Sequence, residues 1–534
     1  MQVKSCFAVY EYDKFFIKGV FNLSYYEAFG NVIYWLDDVL WSYPFIIFVL
    51  LIGTYFFFGS GVFTLRHFGH IMHYTFGQVI HKTGSETKGG EGYVSPFEAA
   101  CIAIGGCVGS GNIAGVATAI ATGGPGSVFW LEVWAFFGMM VKCVEVTLAV
   151  HYRGKNEKGE YYGGTTYMME KGFGRQMGHM KFAMVVAVIF AIGFICQFLG
   201  GSQAYSISEV LNRSFGIDMM LVTVLYSFIL YYVIWKGTPR IAKVATKLVP
   251  FMCVIYLCGG VVLILANYQQ VPSMIAAIFK DAFTGTAAVG GFAGCAVQQA
   301  ISKGLSRSIN SNEAGQGSSP LIHGSANTVH PVREGLWGAF EVFTDTIIVC
   351  TITAIAVLCT GKWCDGFTGA TLTIEAFSSV FGRGGEVYIG VMMALFGITT
   401  TAGWFTYYIS VIKWLFRKHP VVRDRLCYLF KFVFPIPNLI IVWSITKGGY
   451  SADLFWAIVD VSLLIPVFSN LLAIFLLRKK FWELLKDYKA RYMGIGKVDP
   501  NFYVFYEDDP KVFAEEEKVR EELRKIDAAA AHKS

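Results

Sequence analysis

Residues 101–126 read CIAIGGCVGSGNIAGVATAIATGGPG. The stretch is apolar and long enough to cross a bilayer, yet its middle holds Gly105, Gly106, Gly109 and Gly111. Each glycine inside a helix costs roughly 1 kcal/mol relative to alanine, so the cluster predicts a helix that breaks there. Unwound backbone is tolerated at membrane depth only where protein or a watery cavity satisfies its polar groups. The stretch therefore predicts a discontinuous transmembrane helix beside a binding cavity.

A second glycine cluster has the same character. Residues 283–300 read FTGTAAVGGFAGCAVQQA, with Gly290 and Gly291 in the same relative place. The alternative interpretation is that these small residues only permit close helix packing. Because both clusters are dense and lie at corresponding positions, a pair of helix breaks is the favoured interpretation.

The composition of the 534-residue chain is that of a polytopic membrane protein. Only 15% of residues are charged and 54% are hydrophobic, with a mean hydropathy of +0.50. So few charges do not cover the surface of a water-soluble protein. The net charge of +6 comes from basic residues scattered through connectors, which disfavours a nucleic-acid partner. The twelve cysteines form no CxxC motif, so no redox or metal role is predicted for them.

Eleven segments are apolar and long enough to cross the hydrocarbon core, which takes about 20 residues. They cover residues 42–65, 97–122, 126–151, 181–210, 218–236, 241–267, 274–302, 335–360, 386–416, 426–446 and 452–478. The two glycine clusters fall in the second and seventh segments, five segments apart. That spacing predicts an all-α fold of two inverted five-helix repeats behind one extra helix, with the first and sixth core helices discontinuous.

The same pattern divides the chain into five regions. They are an N-terminal extracellular or amphipathic segment (1–41), an extra transmembrane helix with a cytoplasmic linker (42–96), a first repeat (97–267), a second repeat (274–478) and a cytosolic tail (479–534). Lysine and arginine are concentrated in one set of alternate loops, and positive residues are retained in the cytoplasm. We therefore expect a multi-pass cell-membrane protein with its N-terminus outside and its C-terminus in the cytoplasm.

Broken helices predict a particular kind of cargo. The N–H groups at the start of a half-helix carry partial positive charge and suit a carboxylate. The carbonyls freed at the end of the other half suit a small cation. A cavity with both kinds of group predicts a site for an amino acid that travels with an ion.

Six motifs, taken in order, resemble the alanine or glycine:cation symporter family. They are GSGNIAGVATAIATGGPGSVFW (109–130), KLVPFM (247–252), AAVGGFAG (287–294), SNEAGQGSSP (311–320), HPVREGL (330–336) and DTIIVCTITA (345–354). The resemblance implies a LeuT-type fold with one extra helix before the ten-helix core. It also implies Na⁺-coupled uptake of a small neutral amino acid, of the alanine or glycine class, by alternating access.

The resemblance implies a substrate site built by both breaks and by two further core helices. The residues of the breaks are Gly109, Ser110 and Gly111 in the second segment and Gly290, Gly291 and Phe292 in the seventh. The first turn is expected to bind the carboxylate, and the second to close over the amino group and side chain. Gln203 resembles the glutamine of the third core helix, and Trp404 resembles a tryptophan of the eighth that limits side-chain size. The chain departs from the family at Gly200, Tyr205 and Ser110, so the preferred amino acid stays open.

The resemblance further implies a Na⁺ site between the first and eighth core helices. The ligands it implies are the carbonyls of Gly105 and Val108 and the hydroxyls of Thr399 and Thr400. Hard cations take oxygen ligands of this kind. Asn112 has two interpretations, an amide ligand to a second ion and a cap for the helix break. No cofactor other than the coupling ion is expected.

Ionisable residues at membrane depth are functional candidates, because burying one is costly unless it is paired. Lys142 and Glu145 are three residues apart on one helix, which predicts a structural salt bridge or a gating element. Glu313, in the polar segment 311–320, is predicted to plug the inner vestibule or to form a helix-capping turn. Asp345 and Asp460 offer proton sites to the alternative function, a proton-coupled carrier of another neutral amino acid on the same fold.

Two other classes of function are disfavoured. A membrane-embedded enzyme needs acid, base or metal groups clustered within the spans. Most of the ten histidines fall in connectors, and no glutamate–histidine constellation is expected at depth. A channel needs a repeated filter or an acidic ring, and the sequence offers neither. The sequence thus predicts a transporter rather than an enzyme, with a neutral amino acid, Na⁺ and the lipid bilayer as partners.

Overall fold

The structure is a computed structural model that describes residues 23–81, 94–156, 159–197, 202–284 and 293–506. This part of the chain is almost entirely helical. One short antiparallel hairpin pairs β1 (Gly154–Lys155) with β2 (Tyr161–Tyr162). The helices ahead of the first glycine cluster are α1 (Leu23–Leu40), α2 (Tyr43–Gly59), α3 (Phe63–Arg66), α4 (Phe68–Met72) and α5 (Gln78–His81).

The remaining helices follow in chain order. Up to residue 267 they are α6 (Pro96–Cys107), α7 (Val116–Gly123), α8 (Gly126–His151), α9 (Thr165–Met169), α10 (Met180–Cys196), α11 (Ser202–Phe215), α12 (Met219–Ile234) and α13 (Thr238–Ala266). Beyond it they are α14 (Val271–Thr284), α15 (Ala293–Asn312), α16 (Pro320–His323), α17 (Pro331–Val342), α18 (Thr351–Cys359), α19 (Gly369–Phe381), α20 (Arg383–Leu415), α21 (Pro420–Val433), α22 (Ile436–Thr446), α23 (Ala452–Leu476) and α24 (Arg478–Met493). Wider π-helical turns occupy His73–Gly77, Gly111–Gly115, Glu170–Gln176 and Phe343–Cys350, and 3₁₀ turns occupy Tyr268–Gln270 and Lys362–Cys364.

Several of these helices are long and apolar enough to span a membrane. Within the described residues, six pass on both length and hydropathy, and they are Gly126–His151, Thr238–Ala266, Pro331–Cys359, Arg383–Leu415, Pro420–Thr446 and Ala452–Leu476. The pair α6 and α7 passes as a seventh, bent span. Three shorter apolar helices, α2, α10 and α12, add to these. The prediction of a polytopic helical membrane protein is confirmed.

The break predicted in the second segment is present. α6 ends at Cys107, and Val108 then takes an extended backbone with φ −71° and ψ 93°. A π-helical turn leads from there into α7, and the two halves meet at 47°. The other predicted break, at Gly290, Gly291 and Phe292, lies outside the described residues, between α14 and α15.

The helix α8 is the centre of the packing, with α15 and α17 against it. Glycines make these contacts close. A Cβ on Gly335 of α17 would lie 2.2 Å from the Thr147 hydroxyl and 2.7 Å from the Cys143 carbonyl oxygen of α8. A Cβ on Gly304 of α15 would lie 2.4 Å from the Ser127 carbonyl oxygen. The backbones therefore touch where side chains would hold them apart, as small residues allow in membrane helices.

The charged helix α24 folds back onto this scaffold. His330, which caps α17, lies 3.3 Å from the Asp487 carboxylate of α24. Beyond α24, the ring of His151 at the end of α8 lies 2.8 Å from the carbonyl oxygen of Val504. The Tyr506 amide donates back to the His151 carbonyl at 2.9 Å. The last described residues are thus part of the packed structure.

The contact between α17 and α8 yields a stability prediction. Gly335→Ala forces a methyl group against backbone and should destabilise the protein by roughly 1–3 kcal/mol, the usual cost of overpacking. Gly384→Ala is the matched control, because Gly384 is also helical and nothing lies within 4 Å of its would-be Cβ. The measurement is the thermal unfolding midpoint of both variants in detergent. Equal midpoints would show that α17 and α8 are not packed as described.

Candidate functional site

One cavity lies beside the break between α6 and α7. Its polar lining comes from helices of both predicted repeats and comprises Gln197, Gln203, Asn310, Glu313, Gln316, Thr400, Thr401, Asn438 and Ser462. Its remaining lining comprises Gly106, Cys107, Gly111, Trp404, Tyr408, Phe434, Val459 and Leu463. The structure therefore gathers five of the sequence-predicted residues around one space, and they are Gly111, Gln203, Glu313, Thr400 and Trp404.

The amide groups at the break face side-chain oxygens. The Gly109 N–H donates to Asn112 Oδ1 at 2.9 Å, and the Ser110 N–H donates to Gln203 Oε1 at 3.0 Å. Because the Gly109 amide is used in this way, the Gly105 carbonyl lacks its usual helical donor four residues on. The break thus offers donors on one side and a freed carbonyl on the other.

The freed carbonyls meet α20. The Thr400 hydroxyl lies 3.0 Å from the Gly105 carbonyl oxygen and 3.1 Å from that of Val108. Three neutral oxygens, from both halves of the chain, therefore converge at one point. The Thr399 hydroxyl points elsewhere and donates to the Phe396 carbonyl of its own helix at 2.8 Å.

Only glycine fits at the centre of this arrangement. A Cβ on Gly109 would lie 2.7 Å from the Thr400 hydroxyl oxygen and 3.1 Å from Gln203 Oε1. A Cβ on Gly106 would lie 2.6 Å from the Tyr407 hydroxyl oxygen. The glycine cluster thus serves a second purpose beyond breaking the helix, since it lets α20 and Gln203 approach the broken backbone.

Asn112 ties the break to the span formed by α17 and α18. Its amide oxygen accepts from Gly109, while its Nδ2 donates to Asp345 Oδ1 at 2.7 Å and to the Asp345 carbonyl at 3.1 Å. The hydroxyls of Ser311 and Thr346 donate to the other carboxylate oxygen at 2.7 and 2.8 Å. In this structure Asn112 caps the break, and Asp345 holds that cap together with the end of α15.

The polar segment after α15 brings Glu313 to the cavity wall. Glu313 takes a left-handed backbone with φ 55°, which is uncommon for a residue other than glycine. Its Oε1 accepts the Trp404 indole N–H at 2.8 Å, and its Oε2 accepts the Ser318 hydroxyl. Trp404 also stacks on Phe194, with ring centroids 5.2 Å apart. The segment is therefore both a tight turn and a fixed part of the cavity lining.

Lys142 lies in a fully buried ionic cluster. Its Nζ donates to the Asn312 carbonyl at 3.0 Å and lies 3.8 Å from a carboxylate oxygen of both Glu145 and Glu341. Asn470 on α23 donates to the second oxygen of Glu145 at 2.6 Å. The sequence paired Lys142 with Glu145 and assigned no role to Glu341. The structure adds Glu341, so the cluster joins α8 to α17 as well as to the end of α15.

His323 forms a buried cluster with two glutamates that the sequence did not predict. Its side chain is fully buried on α16, with Nδ1 2.6 Å from Glu334 Oε1 and Nε2 in contact with Glu341. Burial lowers the pKa of His323, but the carboxylates of Glu341 and Glu334 raise it more, to about 9. The sequence held one indication of this cluster: Glu334 and Glu341 are seven residues apart and therefore lie on one face of α17.

This arrangement predicts a pH-dependent stability. A histidine whose pKa is raised by folding stabilises the protein fully below its unfolded pKa of 6.5, and loses that stabilisation as pH rises through about 9. Relative to His323→Gln, wild-type stability should fall by up to roughly 3 kcal/mol over that window. Unfolding midpoints at pH 6, 7.5 and 9.5 test this, with exposed His179→Gln as the control. Parallel profiles for wild type and His323→Gln would contradict it.

Comparison with known proteins shows the family of the chain. The model of the sodium:alanine symporter family matches residues 26–502. The sodium/alanine symporter AgcS of Methanococcus maripaludis is 32% identical over 460 residues, covering 84% of this chain and 95% of AgcS. The putative sodium/proton-dependent alanine carrier YrbD of Bacillus subtilis is 36% identical, covering 85% and 92%. The probable sodium/glutamine symporter GlnT of the same species is 33% identical, covering 88% and 92%.

A solved structure supports the fold. MhsT in complex with L-phenylalanine superposes with a TM-score of 0.54 at 12% identity, covering 73% of this chain and 90% of MhsT. At that identity the likeness speaks for the fold alone, and it confirms the expected LeuT-type architecture. The relatives are transporters and not enzymes. With the family match extending over most of its length, the chain belongs to the sodium:alanine symporter family.

Proposed function

We propose that the protein takes up a small neutral amino acid, of the alanine or glycine class, in symport with Na⁺. The observation that carries this proposal is the convergence of the Gly105 and Val108 carbonyls on the Thr400 hydroxyl, beside a turn of backbone amides. Relatives named as sodium/alanine and sodium/glutamine symporters support it. Substrate and ion would then bind on opposite sides of a single helix break.

The proposed Na⁺ site uses neutral oxygens. A monovalent cation needs little compensating charge, and the two carbonyls and the Thr400 hydroxyl supply none, so the site disfavours divalent ions. Thr399 Cβ lies beside Gly105, with 3.3 Å between it and a would-be Cβ there. Because it lies so close to Gly105, Thr399 is retained as a further candidate ligand of the proposed site.

The proposed substrate site uses the amides of the break. The substrate carboxylate replaces Gln203 Oε1 as the acceptor of the Ser110 N–H, at the turn formed by Gly109, Ser110 and Gly111. Trp404, fixed by Glu313 and by Phe194, limits one side of the cavity. The second predicted break, at 290–292, would close over the amino group.

The proposed transport cycle is alternating access between two inverted repeats, residues 97–267 and 274–478, in eleven spans. Residues 1–41 lie outside, residues 42–96 form the extra helix and its cytoplasmic linker, and residues 479–534 form the cytosolic tail. The Lys142 cluster would hold α8 and α17 together as a scaffold, with Glu145 and Glu341 as its carboxylates. Glu313 and Asp345 would act as gating charges near the moving break.

Coupling to protons is the alternative. The name of YrbD includes both sodium and proton dependence. Asp345 and Asp460 are the candidate proton sites, and Asp460 is paired with Arg307 at 3.0 Å. An imposed proton gradient without Na⁺ separates the two mechanisms.

The main experiment is uptake of radiolabelled alanine, glycine and larger neutral amino acids into proteoliposomes. We expect an inward Na⁺ gradient to drive accumulation, and a proton gradient alone to drive none, because the oxygens at the break hold a metal cation and not a proton. Liposomes without protein are the control. The central proposal would be wrong if no neutral amino acid accumulated under either gradient.

A paired substitution tests the ion site. Thr400→Ala removes a hydroxyl at the freed carbonyls and should raise the half-saturating Na⁺ concentration about tenfold, equivalent to about 1.4 kcal/mol. Thr399→Ala should raise it less, since that hydroxyl is bonded within α20. Thr446→Ala, at the end of α22, is the control. An equal loss of Na⁺ affinity and substrate selectivity in Thr400→Ala would remove Thr400 from the ion site.

A further inference from the structure

Asn438 on α22 is a buried amide whose nitrogen lacks a partner. Its side chain is 5% exposed and lines the cavity that contains the break. Among the described residues, no group accepts a hydrogen bond from its amide nitrogen. Leaving a buried donor unpaired costs about 1–3 kcal/mol. Such a group in a cavity wall therefore points to a ligand that supplies the missing partner.

Two other side-chain amides that line the same cavity, those of Gln316 and Gln197, are held by hydrogen bonds. Gln316 Nε2 donates to Gln197 Oε1 at 2.8 Å, and Gln197 Nε2 donates to the Ser462 carbonyl at 3.2 Å. This chain of hydrogen bonds joins the polar segment after α15 to the end of α10 and to α23. It uses one of the two N–H groups of each glutamine and leaves the Gln316 oxygen outside it. The two glutamines are thus oriented by hydrogen bonds, while their second N–H groups and the Gln316 oxygen remain for a ligand.

The mixture of groups selects the chemistry of that ligand. A carboxamide has an oxygen and two N–H groups in one plane, and it complements Asn438 together with Gln316. Glu313 lines the same cavity, and its carboxylate would repel a ligand with a negatively charged side chain. The rings of Tyr408 and Phe434 offer an apolar surface for methylene groups.

We propose that this wall, built around Asn438 and Gln316, is a side-chain subsite for the carboxamide of glutamine or asparagine. The inference rests on the proposed function, since it takes the backbone of the amino acid to be held at the break. Gly111, Thr400 and Asn438 line the same cavity, so a side chain longer than that of alanine would reach this subsite from the break. The transporter then takes amide amino acids as well as the small ones.

Matched pairs of substrates test the inference on the wild-type protein. Glutamine and methionine have side chains of similar length, and asparagine and leucine have side chains of similar size. In each pair only the first amino acid carries an amide. In proteoliposomes with an inward Na⁺ gradient, the KM should be about tenfold lower for glutamine than for methionine, the value of one good hydrogen bond. Glutamate should be transported more weakly than glutamine.

The outcomes separate the two proposals. If alanine is taken up while glutamine is no better than methionine, the subsite is wrong and the proposed function stands. If no amino acid is taken up, both are wrong. A tenfold advantage of glutamine with alanine also transported supports both.

A substitution locates the subsite. Asn438→Leu keeps the size of the side chain and removes the amide, so the ratio of the methionine KM to the glutamine KM should fall from about ten to near one. Asn267→Leu is the control, because that asparagine lies at the end of α13 and bonds to Leu263 within its own helix turn. An unchanged ratio in Asn438→Leu would overturn the inference.

A second measurement covers the case in which Asn438→Leu does not fold. Thermal unfolding of the wild-type protein in Na⁺ buffer should be shifted upward more by glutamine than by methionine at the same concentration, because a ligand that binds the folded state more tightly stabilises it more. Equal shifts by the two amino acids would also overturn the subsite.

Discussion

The structure depends on how the broken backbone at residues 108–110 is satisfied. At membrane depth an unpaired N–H or carbonyl is costly, so every polar group at the break needs a partner from elsewhere. The partners come from three directions. Asn112, which is itself bonded to Asp345, accepts from the Gly109 N–H, and Gln203 accepts from the Ser110 N–H. The Thr400 hydroxyl donates to the freed carbonyls. The break therefore links α11, α20 and the α17–α18 span in one hydrogen-bonded unit.

The buried charges follow a similar rule. Lys142, His323 and three glutamates lie together with almost no access to water, and each removal of one partner would leave an uncompensated charge. The desolvation of each ion offsets much of the attraction, so the net contribution of the intact cluster to stability is smaller than the cost of removing one partner. The cluster joins α8 to α17 and to the end of α15, and the last two of these elements also bond to the break through Asp345, so the two polar networks share part of their framework.

The glycine clusters predicted the first break, because four glycines at 105, 106, 109 and 111 weaken an apolar helix and a second cluster lies at the corresponding position. The approach of Thr400 to Gly105 and Val108 needed the family resemblance, since nothing local in α20 marks which of the three adjacent threonines, 399–401, faces the break. The partners of Lys142 show the limit of local reasoning. Glu145 was predicted as a partner because it is three residues away on the same helix. Glu341, and His323 in contact with it, belong to elements that only tertiary packing brings to Lys142. The amphipathic helix α19 and the π-helical turns also escaped a search for long apolar runs.

The docking of the C-terminal residues bears on how the chain is made. His151 at the end of α8 and Val504 are 353 residues apart in sequence, yet their contact is direct. His330 at the start of α17 likewise contacts Asp487, which is synthesised 157 residues later. During synthesis at about 5–20 residues per second, these ends of α8 and α17 therefore stay without their partners for many seconds. Packing of the scaffold is therefore completed only after residue 504 has been synthesised, and a chain truncated before α24 would lack the partners of both histidines.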